Sequence, residues 1–302
     1  MNLKHRQLLA HLGVNNIQKL GQGMQGTVYE YSPDQVIKIW SKAETKPEMI
    51  KDLHDFYQQL NWNSARISVP EVHKYGEYQG IYYTIEKKFK GQPAHLVYEA
   101  ASNSVRKELL DNYFHLLGLL RDIEIEGEYG SVISGTFGKN NQPTWTKFLK
   151  TTLERTKDRS LKYPDHGLEN IEQLFEKYYL EVLPTIDPNH TKNFVHGDLF
   201  LENVLASANG EITALLDFGP LAAIGDHLMD VAGLVHFVTV SKEVDEGARD
   251  HLLKLAMKEY PGQETEINNY LLFSSLQFIN SKTYDPRTYE WCIRNLTSLG
   301  YL

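Results

Sequence analysis

Asp198, Asn203 and Asp217 are the residues whose types and spacing can do chemistry. They lie in FVHGDLFLENVLASANGEITALLDFGPLAAIGDHLMD, residues 194–230, with Asn203 five positions after Asp198 and Asp217 fourteen after Asn203. The intervening VLASANGEITALLD has two apolar runs around a polar Asn209-Gly210 turn, the pattern of a β-hairpin. Folding the hairpin sets Asn203 and Asp217 side by side. An amide oxygen and a carboxylate beside a third acid make a hard-oxygen site suited to Mg²⁺, which takes few protein ligands and leaves room for phosphate oxygens.

The upstream sequence supplies elements to position such a site. Gly21, Gly23 and Gly26 form G-x-G-x-x-G, and Thr27, Val28 and Tyr29 continue as a strand rather than opening a helix. A Ser32-Pro33-Asp34 turn then leads to the strand QVIKIW. A glycine loop between antiparallel strands can lay its backbone over nucleotide phosphates, because no side chains intervene. Lys38 follows on that second strand among apolar neighbours, which reads as a phosphate-binding lysine rather than an edge charge. Its acidic partner is expected on the next helix, Pro47 to Leu60, where Glu48, Asp52 and Asp55 are candidates and Glu44 lies just before. Glu48 is chosen for its length and its place in the first turn. Two strands over 71–77 and 80–88 end at Phe89-Lys90-Gly91-Gln92-Pro93, where the lobe boundary is placed. Helical periodicity dominates afterwards, through 105–123, 145–157, 168–183 and four stretches between 226 and 299.

HGDLFLENVL followed by LLDFG is similar to the catalytic and metal-binding loops of the aminoglycoside phosphotransferase and choline kinase group, small-molecule relatives of the protein kinases. Gly197 stands where protein kinases have Arg, and GDHLMD follows LLDFG too soon for an activation loop with A-P-E. The resemblance spans nearly the whole chain. It implies an α+β, protein-kinase-like bilobal fold, with an ATP-binding lobe at 1–90 and a catalytic and substrate-binding lobe at 91–302. It further implies ATP and Mg²⁺ as cofactors, Asp198 as base toward the acceptor hydroxyl, and Asn203 and Asp217 as metal ligands. Gly21, Gly23, Gly26, Val28, Lys38 and Glu48 would form the nucleotide site, with Glu86 and Lys88 in the hinge that meets adenine. His196 would brace the loop, Asp226 would cap a helix and Asp230 would be a buried hydrogen-bonding group. The family often has Trp and Glu after the metal-binding Asp, whereas this chain has Phe218 and Gly219, which weakens a specific assignment to aminoglycosides.

The chain has 302 residues, 41% of them hydrophobic, enough for two lobes. Its one cysteine, Cys292, excludes an internal disulfide and reads as a small apolar residue on a late helix. No secretory signal or membrane span is evident, so a soluble cytoplasmic protein is expected. Residues 1–90 carry a net charge of +3 and the remainder −11. That argues against nucleic acid as the main partner and tolerates a cationic substrate. The expected partner is a small-molecule hydroxyl acceptor, with an aminoglycoside or amino sugar plausible. Choline, ethanolamine or homoserine kinases are alternatives, as is a catalytically silent nucleotide sensor.

Overall fold

The computed structural model describes residues 2–23, 25–41, 45–59, 68–135 and 138–302. Glu44 and Leu60 therefore lie outside the described residues. After helix α1 (Leu3–His11), strands β1 (Lys19–Gln22), β2 (Gly26–Ser32), β3 (Gln35–Trp40), β4 (Val72–Tyr78) and β5 (Ile81–Lys87) form an antiparallel sheet ordered β1-β2-β3-β5-β4. Helix α2 (Pro47–Gln59) joins β3 to β4.

Cross-strand register sorts this sheet into two faces, because directly opposed residues share a face. Tyr29, Ile37 and Ile85 are in register, and with Ile39 and Tyr83 they pack under Leu8 and Leu9 of α1. The opposite face carries Val28, Lys38 and Thr84, also mutually in register. One face is thus spent on a small apolar core, and the other is left for polar work.

The second lobe is mainly helical. It opens with β6 (Gln92–Pro93) and α3 (Ala94–Ala100), then α4 (Asn103–Arg121), β7 (Tyr129–Ser131), β8 (Asn141–Gln142), α5 (Trp145–Lys162) and α6 (Ile171–Lys177). β9 (Asn193–Val195) leads into the hairpin of β10 (Val204–Ala206) and β11 (Ile212–Leu215), followed by β12 (Ala223–Gly225). Helices α7 (Leu228–Phe237), α8 (Glu246–Glu259), α9 (Glu264–Gln277) and α10 (Pro286–Ser298) complete the chain. α10 starts where Asp285 accepts the Thr288 amide and Pro286 fills the first helical position, whose amide would have no partner anyway. The helix expected over 168–183 is shorter. The α-helix ends at Lys177 and the chain goes on as a π-turn over Tyr178–Val182 and a 3₁₀ turn over Leu183–Thr185, where Pro184 has no amide to donate.

A single large core joins α2 to the second lobe. Phe56 stacks on Phe194 at 5.5 Å between ring centroids, Phe194 on Phe218 at 5.8 Å, and Tyr57 meets Phe218 edge-on at 5.8 Å. Such pairs contribute about 0.5–1.5 kcal/mol each beyond area burial. Phe218 is 1% exposed, so the ring after Asp217 is a packing anchor that fixes where the carboxylate begins.

Candidate active site

The hairpin forms as its sequence requires. Val204 opposes Leu215, Gly210 takes the turn at φ +84°, and the Leu216 amide donates to the Asn203 carbonyl at 2.8 Å. Asn203 and the residue preceding Asp217 are therefore locked together through the backbone. Asp217 itself has φ +56°, a left-handed conformation costly for a residue with a Cβ and concentrated at functional sites.

Asn203 is oriented by what surrounds it. Its amide nitrogen donates to the Asp198 carbonyl at 2.9 Å and to the Asp198 carboxylate at 3.0 Å. Both are acceptors, so the nitrogen must face them and the amide oxygen is turned away. That oxygen, with the Asp217 carboxylate, is the donor set a hard divalent cation takes. The residues present therefore fit Mg²⁺.

His196 braces this arrangement. Its Nε2 lies 3.1 Å from the Leu216 carbonyl, which can only accept, so Nε2 carries the proton and Nδ1 accepts the Asp198 amide at 3.2 Å. Burial pushes the ring down to about 4, leaving it neutral at pH 7. One imidazole thus ties the backbone of Asp198 to Leu216, just beyond β11 and next to Asp217. Beneath it, Asp230 accepts the amides of His196 at 2.7 Å and Gly197 at 2.8 Å. Gly197 has φ +74°, and a Cβ there would come within 2.5 Å of the Leu221 carbonyl oxygen, so only glycine fits. Asp226 accepts the Leu228 amide at 3.0 Å and the Tyr270 hydroxyl at 2.6 Å, steadying the start of α7. Helix α4 contributes a support not foreseen from the sequence: the Tyr113 hydroxyl donates to the Leu199 carbonyl, next to Asp198. Its place in an apolar periodicity hid that role.

From the first lobe, Lys38 reaches across to form an ion pair with Asp217. Burial alone pulls the ammonium down, but Asp217 and Glu86 together outweigh it and hold the group above its ordinary value. The Lys38 ammonium also lies 4.3 Å from the Trp40 ring centroid and 3.3 Å from the Gln25 amide oxygen. Gln25, in the glycine loop, was not singled out from the sequence. For Asp198, burial and then the like charge of Asp217 raise the carboxyl to about 7, against the pull of Asn203 and Lys38.

The pairing expected between Lys38 and Glu48 is not made. Glu48 is exposed in the first turn of α2, where its charge is felt by Tyr82, farther along the sheet. Asp55 pairs with Lys51, and Asp52 accepts the Ser134 amide at 3.0 Å and faces Lys139 at 3.4 Å. Glu86 is the first-lobe carboxylate that Lys38 senses. Burial raises it, while Lys38 and the Thr84 hydroxyl hold it back.

The hinge is also more committed than expected. The Lys87 amide donates to Glu71 at 3.1 Å, the Lys88 amide to Asp34 at 2.9 Å, and the Lys88 ammonium pairs with Glu30. Lys88 is thus turned toward the β2–β3 hairpin rather than free to meet a base. The loop glycines divide by function. A Cβ on Gly26 would overlap the Ile39 backbone, whereas among the described residues Gly21 and Gly23 have nothing within 4 Å of where a Cβ would stand. Gly26 is needed for strand packing, and Gly21 and Gly23 leave space beside the loop where side chains would otherwise stand. Val28 shares the face of Lys38 and is partly buried.

The model of the phosphotransferase enzyme family matches residues 16–261. The chain is similar to aminoglycoside 2'-phosphotransferase-IIIa in its GDP complex, with a TM-score of 0.65 and 14% identity over 99% of this chain and 100% of that one. It also resembles aminoglycoside phosphotransferase APH(3'')-Id from Streptomyces rimosus, at TM-score 0.59 and 15% identity over 92% and 99%. Macrolide 2'-phosphotransferase type I aligns at TM-score 0.55 and 12% identity over 99% and 98%. At these identities the structural likeness establishes the kinase-like fold, and the family match establishes the chemistry. The chain belongs to the phosphotransferase enzyme family, and it is a small-molecule kinase that takes a hydroxyl group as acceptor.

Proposed function

We propose that this enzyme moves the γ-phosphate of ATP to a hydroxyl of a small molecule in a Mg²⁺-dependent reaction, with residues 1–90 as the nucleotide lobe and 91–302 as the catalytic lobe. The observation that carries the reading is the hydrogen-bonded unit of Asp198 and Asn203, with Asp217 ending the hairpin under Lys38. Asp198 accepts the proton of the acceptor hydroxyl as its oxygen attacks the γ-phosphorus, and the bond to the β-phosphate oxygen breaks to release ADP. The Asn203 amide oxygen and the Asp217 carboxylate would hold Mg²⁺, which when bound neutralises phosphate charge. Lys38 binds the α- and β-phosphates after exchanging part of its pairing with Asp217, and the Gly21 to Gly26 backbone covers them. Val28 packs beside the base. At the hinge, the Phe89 amide makes no backbone hydrogen bond among the described residues and is the N–H offered to adenine.

Intact Lys38, Asp198, Asn203 and Asp217 speak against a silent nucleotide sensor, which has no need of all four. As to the acceptor, neighbouring structures hold kanamycin or streptomycin, which supports an aminoglycoside or amino sugar. Choline-, ethanolamine- and homoserine-type acceptors complete the panel. The test is a turnover screen with Mg-ATP and Mg-GTP across these acceptors, with Asp198→Asn as the blank. Acceptor-dependent ADP release abolished in the variant supports the reading; a folded protein that binds neither nucleotide in calorimetry sinks it.

A further inference from the structure

The side chain of Gln25 bridges the cleft between the two lobes. Its amide oxygen accepts from the Lys38 ammonium at 3.3 Å, and the same ammonium pairs with Asp217. On its other side, the Gln25 amide nitrogen lies 2.9 Å from where a Cβ on Gly219 would stand, two residues after Asp217. Glycine at 219 leaves the amide its place. A neutral side chain of the glycine loop therefore stands between the cation assigned to phosphate and the loop assigned to the metal.

The amide is oriented by the same logic as Asn203. An ammonium can only donate, so the oxygen of Gln25 must face Lys38 and the nitrogen must point away from it. That nitrogen makes no hydrogen bond among the described residues, which leaves two N–H donors in the cleft for a group that accepts. The backbone beneath is held to the strand that carries Lys38. The Gln25 carbonyl accepts the Ser41 amide at 2.7 Å, the Gly23 amide donates to the Gly26 carbonyl at 3.0 Å, and Gly26 lies opposite Trp40 with no room for a Cβ. Gln25 is thus fixed beside the ammonium by β3 itself.

We infer that Gln25 binds the terminal phosphate of ATP, donating an amide N–H to a γ-phosphate oxygen while its own oxygen stays on Lys38. The nitrogen points from Lys38 toward Gly219, on the side of the cleft that carries Asp217, and a phosphate in transfer must lie there. A primary amide suits the place because it accepts from the ammonium and donates to the phosphate at once, without adding charge. Hydrogen bonds to ionised oxygens are also roughly twice as strong as neutral ones. ADP lacks the group that Gln25 meets, so this residue tells ATP from ADP. The inference rests on the phosphotransfer reading and adds to it a side chain that recognises the phosphate to be moved.

The test compares the full-length wild type with Gln25→Met, which keeps the length and loses both polar groups, and with Gln25→Glu, whose oxygen can stay on Lys38 but which has no N–H to give. Thermal melts establish that each protein is folded, and ATP and ADP are titrated into each by calorimetry in the presence of Mg²⁺. The ratio of ATP to ADP affinity should fall about tenfold in Gln25→Met, with ADP affinity itself within about twofold of wild type, and at least as far in Gln25→Glu. Equal weakening of ATP and ADP would confine Gln25 to bracing Lys38, and tighter ATP binding in Gln25→Met would make the side chain an obstacle; either result overturns the proposal. So does a ratio that Gln25→Glu leaves unchanged, and this variant alone decides should Gln25→Met not fold. A folded wild type that binds neither nucleotide defeats the phosphotransfer reading as a whole, whereas nucleotide binding whose ATP to ADP ratio the variants do not alter defeats the role of Gln25 only.

Discussion

The Lys38 ammonium pairs with the Asp217 carboxylate across the cleft between the two lobes, 179 residues apart in sequence. Lys38 is 7% exposed and the Asp217 side chain 40%, so the pair is half-buried, and it is the buried ammonium that is placed to meet phosphate charge. Lys38→Met should therefore lower kcat/KM for ATP by about 100-fold or more, by the roughly 2–5 kcal/mol such truncations cost. Steady-state kinetics with varied ATP checks this; a variant within threefold of wild type would remove Lys38 from the phosphate site.

Glu48 should be dispensable. It is exposed and lies away from Lys38's partners, so Glu48→Ala should leave KM for ATP within about twofold, as surface substitutions do. Glu86→Gln should raise that KM, because Lys38 loses a second carboxylate that it senses. Nucleotide kinetics on the two variants side by side decide between the helix and the strand as the source of Lys38's support.

The glycine loop allows a separation of stability from binding. Gly26→Ala forces a methyl group into the Ile39 backbone and should lower Tm by several degrees. Gly23→Ala meets nothing within 4 Å among the described residues and should leave Tm unchanged while weakening ATP binding, if the loop covers the phosphates as proposed. Thermal melts and ATP titrations of both variants test the distinction.

Asp230 gives a pH dependence with a definite sign. Burial pushes its carboxyl up to about 7, although two backbone amides pull the other way. A folded value above the unfolded one near 4 means the native state binds the extra proton. The stability it contributes is full below about pH 4 and lost as pH rises toward 7. Asp230→Asn loses one acceptor and should be less stable than wild type at pH 5, with the gap narrowing by pH 8. Chemical denaturation at the two pH values checks this, and a gap that widens would show that the amides prevail over burial.

Much of the site was legible because it is local. The Asn209-Gly210 turn and its flanking runs fix a hairpin whose register brings Asn203 against Leu216, next to Asp217. The capping role of Asp226 is likewise local, since the amide that it accepts belongs to Leu228, two residues on. What failed was long-range. The first turn of α2 offers Glu48 to a reader of the sequence, but its outward direction follows from packing Met49, Ile50, Leu53 and Phe56 inward. Lys88 falls in the hinge, yet its ammonium is claimed by Glu30, 58 residues away.

The most direct measurement is calorimetric titration of ATP, with and without Mg²⁺, into wild type and Asp217→Asn. Mg²⁺ should strengthen ATP binding to wild type by at least about tenfold and have little effect on the variant, since the carboxylate that would carry the cation is gone. The same Mg²⁺ enhancement in both proteins would contradict the assignment of Asp217 and, with it, the phosphotransfer site described around Asp198 and Asn203.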